Sequence, residues 1–174
     1  KRTTADLYMG LVDRFSNKYQ TGGLQHLLAR QIRQEVGDAV FNEYYKFAIV
    51  RNPWDRAVSQ YVYMSKRADL RRYIGMRQEA TFKEYLELIR QKMHVQWEPQ
   101  INFLRDTDGT NLVDYVGRFE TFNDSVNEIL SKIGITTAEI PHEKKGSRGS
   151  YHDYYDDESI ETVAKFYADD ISEF

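Results

Sequence analysis

The chain has 174 residues, of which 41% are hydrophobic and 29% charged, and it contains no cysteine. This length favours one domain with a sizeable core, and the composition argues against disorder, collagen and coiled coil. Without cysteine, the sequence excludes disulfides, thiolate zinc sites and cysteine nucleophiles. No apolar run exceeds four residues, so no membrane-spanning helix is predicted, and no signal peptide is recognisable.

The net charge of −3 hides an uneven distribution along the chain. Residues 1–105 contain 18 Lys and Arg against 11 Asp and Glu, a balance of +7. Residues 106–174 contain 6 against 16, a balance of −10. Either the two parts neutralise each other across the fold, or the basic part binds an anion.

Hydrophobic periodicity predicts alternating helices and buried strands. In chain order these are a helix ending near Ser16, a helix that stops at Gly37, a strand over 45–50 buried on both faces, a helix from Pro53 to about Met64, a helix opened by the capping box Thr81–Glu84, a strand over 112–119, a helix from about Asn123 to Gly134, and a last helix with carboxylates at 156–158 in its first turn. Such alternation indicates a three-layer α/β domain, and two strands are few for its sheet.

The sharpest local signal is Arg-Asn-Pro-Trp-Asp-Arg-Ala-Val-Ser-Gln-Tyr at 51–61. A strand would deliver Arg51 to its carboxyl end, where open α/β sheets bind ligands. Pro53 suits the first position of the following helix, whose free N–H groups attract anions. Ser59 lies less than two turns into that helix, so Arg51 and Ser59 could hold one phosphate together. The alternatives are a surface arginine and a structural serine, and we interpret Arg56 as structural, for instance paired with a carboxylate.

Residues 47–61 resemble the 3′-phosphate-binding motif of sulfotransferases, with the closest likeness to carbohydrate sulfotransferases of the Golgi and their bacterial relatives. Other stretches resemble that branch in the same order: Gln-His-Leu at 25–27, Trp-Glu-Pro-Gln-Ile-Asn-Phe-Leu at 97–104, Val-Gly-Arg-Phe-Glu at 116–120 and Phe-Tyr-Ala-Asp-Asp-Ile at 166–171. The long motif is specific, whereas the others support it as a series. The resemblance covers the chain from about Leu24 onward.

The resemblance implies an α/β fold of the three-layer, P-loop-NTPase-like kind, with a central parallel sheet, as a single domain over 1–174. Family members open with a strand and a phosphate loop of the type Pro-Lys-x-Gly-Thr-Ser, which holds the 5′-phosphosulfate. No such loop occurs in this sequence. We therefore expect the chain to begin after the loop, truncated at its N-terminus, because a sheet without its first strand would expose a hydrophobic edge.

By this resemblance, Arg51 and Ser59 hold the 3′-phosphate of 3′-phosphoadenosine 5′-phosphosulfate (PAPS), the sulfuryl donor. His26 is placed like the histidine thought to take the acceptor proton, and an imidazole titrating near neutrality suits that task. The alternative is a helix-capping or partly buried histidine. His94 is two residues out of register with a family histidine, whereas His142 and His152 have the pattern of surface residues. No metal-ligand spacing links the four, and no metal is expected.

The basic loop over 142–150 resembles the segment that closes over the nucleotide in sulfotransferases. Lys145, Ser147 and Arg148 would bind the donor there, although a solvated turn is the alternative. Phe119 matches an aromatic residue near the adenine in related enzymes, whereas the sequence pattern alone predicts a buried strand side chain.

The sequence thus predicts a PAPS-dependent sulfotransferase acting on a hydroxyl, with a saccharide as the expected acceptor and no nucleic-acid partner. Aromatic residues such as Tyr63 and Trp97 are candidates for sugar stacking, and a basic cluster over 66–77 would suit an anionic acceptor, unless it is a solvated helix face.

A non-catalytic nucleotide- or sulfated-glycan-binding module is the alternative, and the Arg-to-Ser spacing argues against a kinase. We expect a cytoplasmic protein if it is bacterial, and a Golgi-lumenal one if eukaryotic; oligomeric state is left open.

Overall fold

The structure, a computed structural model, describes residues 26–135 and 148–174. The predicted helix ending near Ser16 therefore lies outside the described residues. The elements in chain order are α1 (Ala29–Val36), α2 (Asp38–Glu43), β1 (Phe47–Val50), α3 (Pro53–Ser65), α4 (Ala68–Ile74), α5 (Phe82–Arg90), α6 (Ile101–Leu104), β2 (Tyr115–Arg118), α7 (Phe122–Lys132), α8 (Asp157–Phe166) and α9 (Ala168–Glu173). None of these helices is long and apolar enough to cross a membrane.

Strands β1 and β2 pair in parallel, as their sequence pattern predicts. The register places Phe47 opposite Tyr115 and Val50 opposite Arg118. The expectation that β1 is buried on both faces is wrong for most of the strand, because Phe47 is 49% exposed, the next two residues are half-buried and only Val50 is buried. Phe47 lines an open apolar cleft of about 650 Å³ between β1 and the two preceding helices.

Helix α1 ends where the sequence predicts, at Gly37, which adopts a positive φ of 83°. Its apolar stripe is only partly buried. Leu27 and Leu28, predicted as part of this stripe, precede the helix and lie in the interior, whereas Ile32 and Val36 are exposed and line the cleft beside β1.

The main core lies around helices α3, α4, α5 and α8. Val58 and Met64 of α3 are fully buried there, together with Tyr85 of α5 and Val163 of α8. The predicted capping box is present, since Thr81 Oγ1 accepts the Glu84 N–H and the Glu84 carboxylate accepts the Thr81 N–H. Burial of these side chains fixes α3, and hence the residues at its N-terminus, against the rest of the fold.

Gly117 of β2 allows α7 to lie close to the sheet. A Cβ at this position would lie 2.6 Å from Ser125 Cβ and 2.7 Å from Ile49 Cδ1, well inside van der Waals contact. We expect Gly117→Ala to lower the free energy of unfolding by about 1–3 kcal/mol, because the strand and helix must separate. Urea denaturation followed by circular dichroism measures this change.

Gly149→Ala is the matched control for that prediction. Among the described residues, its added Cβ would meet the end of the Asp153 side chain, at 3.3 Å, and this side chain can move aside. We expect a change of less than about 0.5 kcal/mol. Equal stability of Gly117→Ala and the parent protein would contradict the close approach of α7.

Candidate anion-binding site at the end of strand β1

Arg51 follows β1 directly, and α3 begins two residues later. Asn52 caps this helix, because its Oδ1 accepts the N–H groups of Trp54 at 3.0 Å and Asp55 at 3.3 Å. Pro53 occupies the first helical position, as the sequence predicts. The strand end and the helix start thus bring Arg51 and the first turns of α3 together.

The side chains of Arg51 and Ser59 meet, whereas their joint binding of a phosphate stays a prediction. Arg51 Nη1 donates to Ser59 Oγ at 3.0 Å. The other edge of the guanidinium pairs with Asp55, whose Oδ2 lies 2.6 Å from Nε and 2.5 Å from Nη2. These two bonds align the guanidinium across the first turns of α3, so that its Nη1 faces the Ser59 hydroxyl.

Phe119 lies against the same guanidinium. The Arg51 Cζ is 4.5 Å from the centroid of the Phe119 ring, a cation–π geometry. Phe119 is 48% exposed and stands in the turn Phe119–Thr121 after β2. The prediction of a buried strand side chain is therefore wrong, because β2 ends one residue earlier and the ring covers Arg51 instead. Its proximity to an adenine stays a prediction.

Of the three residues predicted to bind the donor in the basic loop, the structure describes Arg148; Lys145 and Ser147 lie outside the described residues. Its Nη2 forms an ion pair with Asp55 Oδ1, so one carboxylate joins two arginines. The Arg148 side chain is 15% exposed, and its Nη1 is buried without a hydrogen-bond partner among the described residues. A buried cationic donor of this kind is costly unless an acceptor binds it.

His26 precedes the buried residues Leu27 and Leu28 at the start of the described chain. Its φ of 62° lies in the left-handed region, which is uncommon for a residue other than glycine. Partial burial lowers the pKa of His26 below its ordinary value of 6.5, which favours the neutral imidazole. Between described residues, no hydrogen bond or ion pair links His26 to Arg51 or Ser59.

The other described histidines have structural contacts. His94 Nδ1 accepts the Gln96 N–H at 3.1 Å, and its ring packs between those of Tyr73 and Trp97. His152 stacks on Tyr151 with ring centroids 4.1 Å apart. His142 lies outside the described residues. No group of three or more acidic or histidine side chains in the described ranges could hold a metal ion.

Arg56 is structural, as predicted, but its partners differ from the expected carboxylate. Its Nη2 donates to the Glu98 carbonyl at 2.8 Å, and its guanidinium lies 5.6 Å from the Tyr167 ring centroid. The Glu98 carboxylate instead accepts from Asn102 Nδ2 at 2.8 Å.

The basic cluster over 66–77 is only partly neutralised by its own neighbours. Arg67 pairs with Asp69, Arg77 pairs with Glu84, and Arg71 donates to the Ser65 carbonyl. Within the described ranges, Lys66 and Arg72 have no ion-pair partner and remain exposed.

Sequence reasoning missed two residues that hold the site together. Asp55 lies four residues after Arg51 in the first turn of α3, a spacing that could have predicted their ion pair. Gln100 stands in the Trp-Glu-Pro-Gln stretch, and its carboxamide bonds the main chain of Arg51 at 2.9 and 2.8 Å. Gln100 lies 49 residues from Arg51 in the sequence, so no local pattern indicates the contact between them.

The chain belongs to the sulfotransferase family, whose family model matches residues 5–174. The family is one of enzymes that transfer a sulfuryl group, and its members generally use PAPS as donor. The mixed helices and small parallel sheet are consistent with an α/β sulfotransferase fold.

A protein of Archaeoglobus fulgidus, described as an uncharacterized protein, is 30% identical over 112 residues. The match spans 62% of this chain and 82% of that protein. No solved structure matches the chain.

Proposed function

We propose that this protein transfers the sulfuryl group of PAPS to a hydroxyl of a carbohydrate. One observation supports the proposal above the others: Arg51 leaves the carboxyl end of β1 and meets Ser59 Oγ at 3.0 Å beside the capped start of α3. A guanidinium and a hydroxyl at a helix N-terminus together suit a phosphate dianion. In PAPS, the 3′-phosphate is the group that this pair would bind.

The donors of the site suit such a phosphate. Arg51 Nη1 and Ser59 Oγ lie at one edge, and the buried Nη1 of Arg148 lacks a partner among the described residues. The proposal extends to Lys145 and Ser147 of the same loop, which lie outside the described residues. Asp55 keeps both arginines close together before the anion arrives.

When bound, PAPS supplies the sulfuryl group. The acceptor hydroxyl oxygen forms a bond to sulfur while the bond from sulfur to the 5′-phosphate oxygen breaks, and the acceptor proton passes to His26. Adenosine 3′,5′-bisphosphate is the other product. The neutral imidazole favoured by the lowered pKa of His26 is the form that accepts a proton.

The carbohydrate acceptor and the three-layer, P-loop-like arrangement are further parts of the proposal. The likeness of residues 47–61 to the carbohydrate branch supports the carbohydrate acceptor. The parallel pairing of β1 with β2 supports the three-layer, P-loop-like arrangement. Exposed Lys66, Arg72 and Tyr63 are available to a saccharide, whereas Trp97 is 2% exposed and cannot offer its ring face.

Calorimetric titration of the complete protein tests the nucleotide assignment. We expect adenosine 3′,5′-bisphosphate to bind at least tenfold more tightly than adenosine 5′-monophosphate, because only the former reaches Arg51 and Ser59. Equal affinities would contradict the assignment. Preferential binding with no sulfuryl transfer to any hydroxyl acceptor would instead support a non-catalytic binding module.

A further inference from the structure

The carboxamide of Gln100 binds both main-chain polar groups of Arg51. The Arg51 N–H donates to Gln100 Oε1 at 2.9 Å, and Gln100 Nε2 donates to the Arg51 carbonyl at 2.8 Å. We name these two bonds the amide clamp. Arg51 lies just beyond the last pair of the sheet, Val50 with Arg118, so a side chain supplies the pairing that β2 no longer provides.

Gln100 is held in turn by a buried carboxylate from the end of the chain. Asp170 of α9 is 0% exposed, and its Oδ2 and Oδ1 accept the N–H groups of Gln100 and Ile101, each at 2.8 Å. Gln100 Nε2 also lies 3.5 Å from Asp170 Oδ2. Among the residues that the structure describes, no Lys or Arg forms an ion pair with Asp170, so its contacts are amide donors at the start of α6.

The amide clamp determines the direction in which the Arg51 side chain leaves the main chain. Its two bonds hold the peptide groups on both sides of the Arg51 Cα, which restricts φ and ψ together. From that fixed Cα the guanidinium reaches Ser59 Oγ at 3.0 Å. A preorganised donor loses less conformational freedom when it binds an anion than a mobile donor does.

We propose that Gln100 is a positioning residue for Arg51, and that Asp170 keeps Gln100 in the amide clamp. The inference rests on the proposed function, in which Arg51 binds the 3′-phosphate of the nucleotide. Neither residue contacts the phosphate in this scheme; both act through the main chain of Arg51. Their effect is therefore confined to the 3′-phosphate and does not extend to the rest of the nucleotide.

Gln100→Met tests the amide clamp, because methionine has a similar length and forms neither bond. We expect its affinity for adenosine 3′,5′-bisphosphate to fall about tenfold, while that for adenosine 5′-monophosphate stays within about twofold. Calorimetry of the complete protein with both nucleotides gives the ratio of affinities. A folded Gln100→Met protein with the wild-type ratio overturns the proposal.

Tyr167→Phe is the matched control. It removes a buried hydroxyl that donates to the Trp97 carbonyl at 3.1 Å, in the same part of the molecule but away from Arg51. We expect it to lower stability and to leave the ratio of affinities unchanged. If Gln100→Met does not fold, Asp170→Asn is measured instead. The amide N–H₂ of the new asparagine would face a main-chain N–H and so loosen the support of Gln100. An unchanged ratio of affinities in Asp170→Asn overturns the proposal.

The outcomes also separate this inference from the proposed function. If the wild-type protein itself shows no preference between the two nucleotides, the 3′-phosphate assignment fails. If the wild-type protein prefers adenosine 3′,5′-bisphosphate and Gln100→Met prefers it equally, the positioning role alone fails.

Discussion

Replacing His26 by asparagine is expected to lower turnover on a true acceptor by a factor of about 10² to 10⁴, the range that general base catalysis contributes. Asparagine is the appropriate substitution because His26 has a φ of 62°, and asparagine tolerates the left-handed region better than alanine does. The variant therefore keeps the local backbone and loses the proton acceptor. Affinity for adenosine 3′,5′-bisphosphate should not change, because His26 is assigned to the acceptor and not to the nucleotide.

The pH dependence of kcat/KM gives a second measurement of the same role. A base works when it is deprotonated, so activity should rise with pH through the pKa of His26 and then level off. Because burial lowers the pKa of His26, this rise should lie below pH 6.5 and be absent from His26→Asn. His152→Ala is the control, since that exposed ring stacks on Tyr151 and no site role is assigned to it. Unchanged turnover in the His26→Asn variant would exclude His26 as the base.

Arg51→Met is expected to weaken binding of adenosine 3′,5′-bisphosphate roughly 100-fold, about 2.7 kcal/mol, because it removes charge-assisted bonds to the phosphate. Binding of adenosine 5′-monophosphate should change little. Arg51→Lys should recover only part of the loss, because an ammonium keeps the charge but cannot pair with Asp55 and meet Ser59 at the same time. Calorimetry with both nucleotides measures the two effects.

Arg90→Ala is the control for that experiment. Arg90 is an exposed arginine of α5 that pairs, among the described residues, with Glu87 of its own helix, so its loss should not affect nucleotide affinity. An Arg51→Met protein that retains the preference for the 3′-phosphorylated nucleotide would contradict the assignment of Arg51.

The elements near the site could be predicted because their signals are local. Pro53 at the first position of α3, the capping box of Thr81 with Glu84, and Gly37 at the end of α1 each depend on residues a few positions apart. Burial was harder to predict, because it depends on what packs against an element. Phe47 and Ile32 have the pattern of core residues, yet both line the cleft beside β1.

The candidate site shows the same division. Arg51 and Ser59 lie on one strand-to-helix segment, so their separation of eight residues indicated that the two side chains could come together, and Arg51 Nη1 lies 3.0 Å from Ser59 Oγ. Their joint binding of a phosphate stays a prediction. Gln100 approaches Arg51 from 49 residues away, and Asp170 approaches Gln100 from 70 residues away. Such contacts depend on how α6 and α9 pack, and no spacing within one segment encodes them.

The distance of Asp170 from Arg51 along the chain has a consequence for synthesis. Arg51 is made before Asp170 of α9, the carboxylate that holds its amide clamp. Contacts between such distant segments need both segments to be present, and they form more slowly than local contacts because a long loop must close. A growing or C-terminally shortened chain without α9 thus lacks the complete support of Arg51, even when β1 and α3 are already in place.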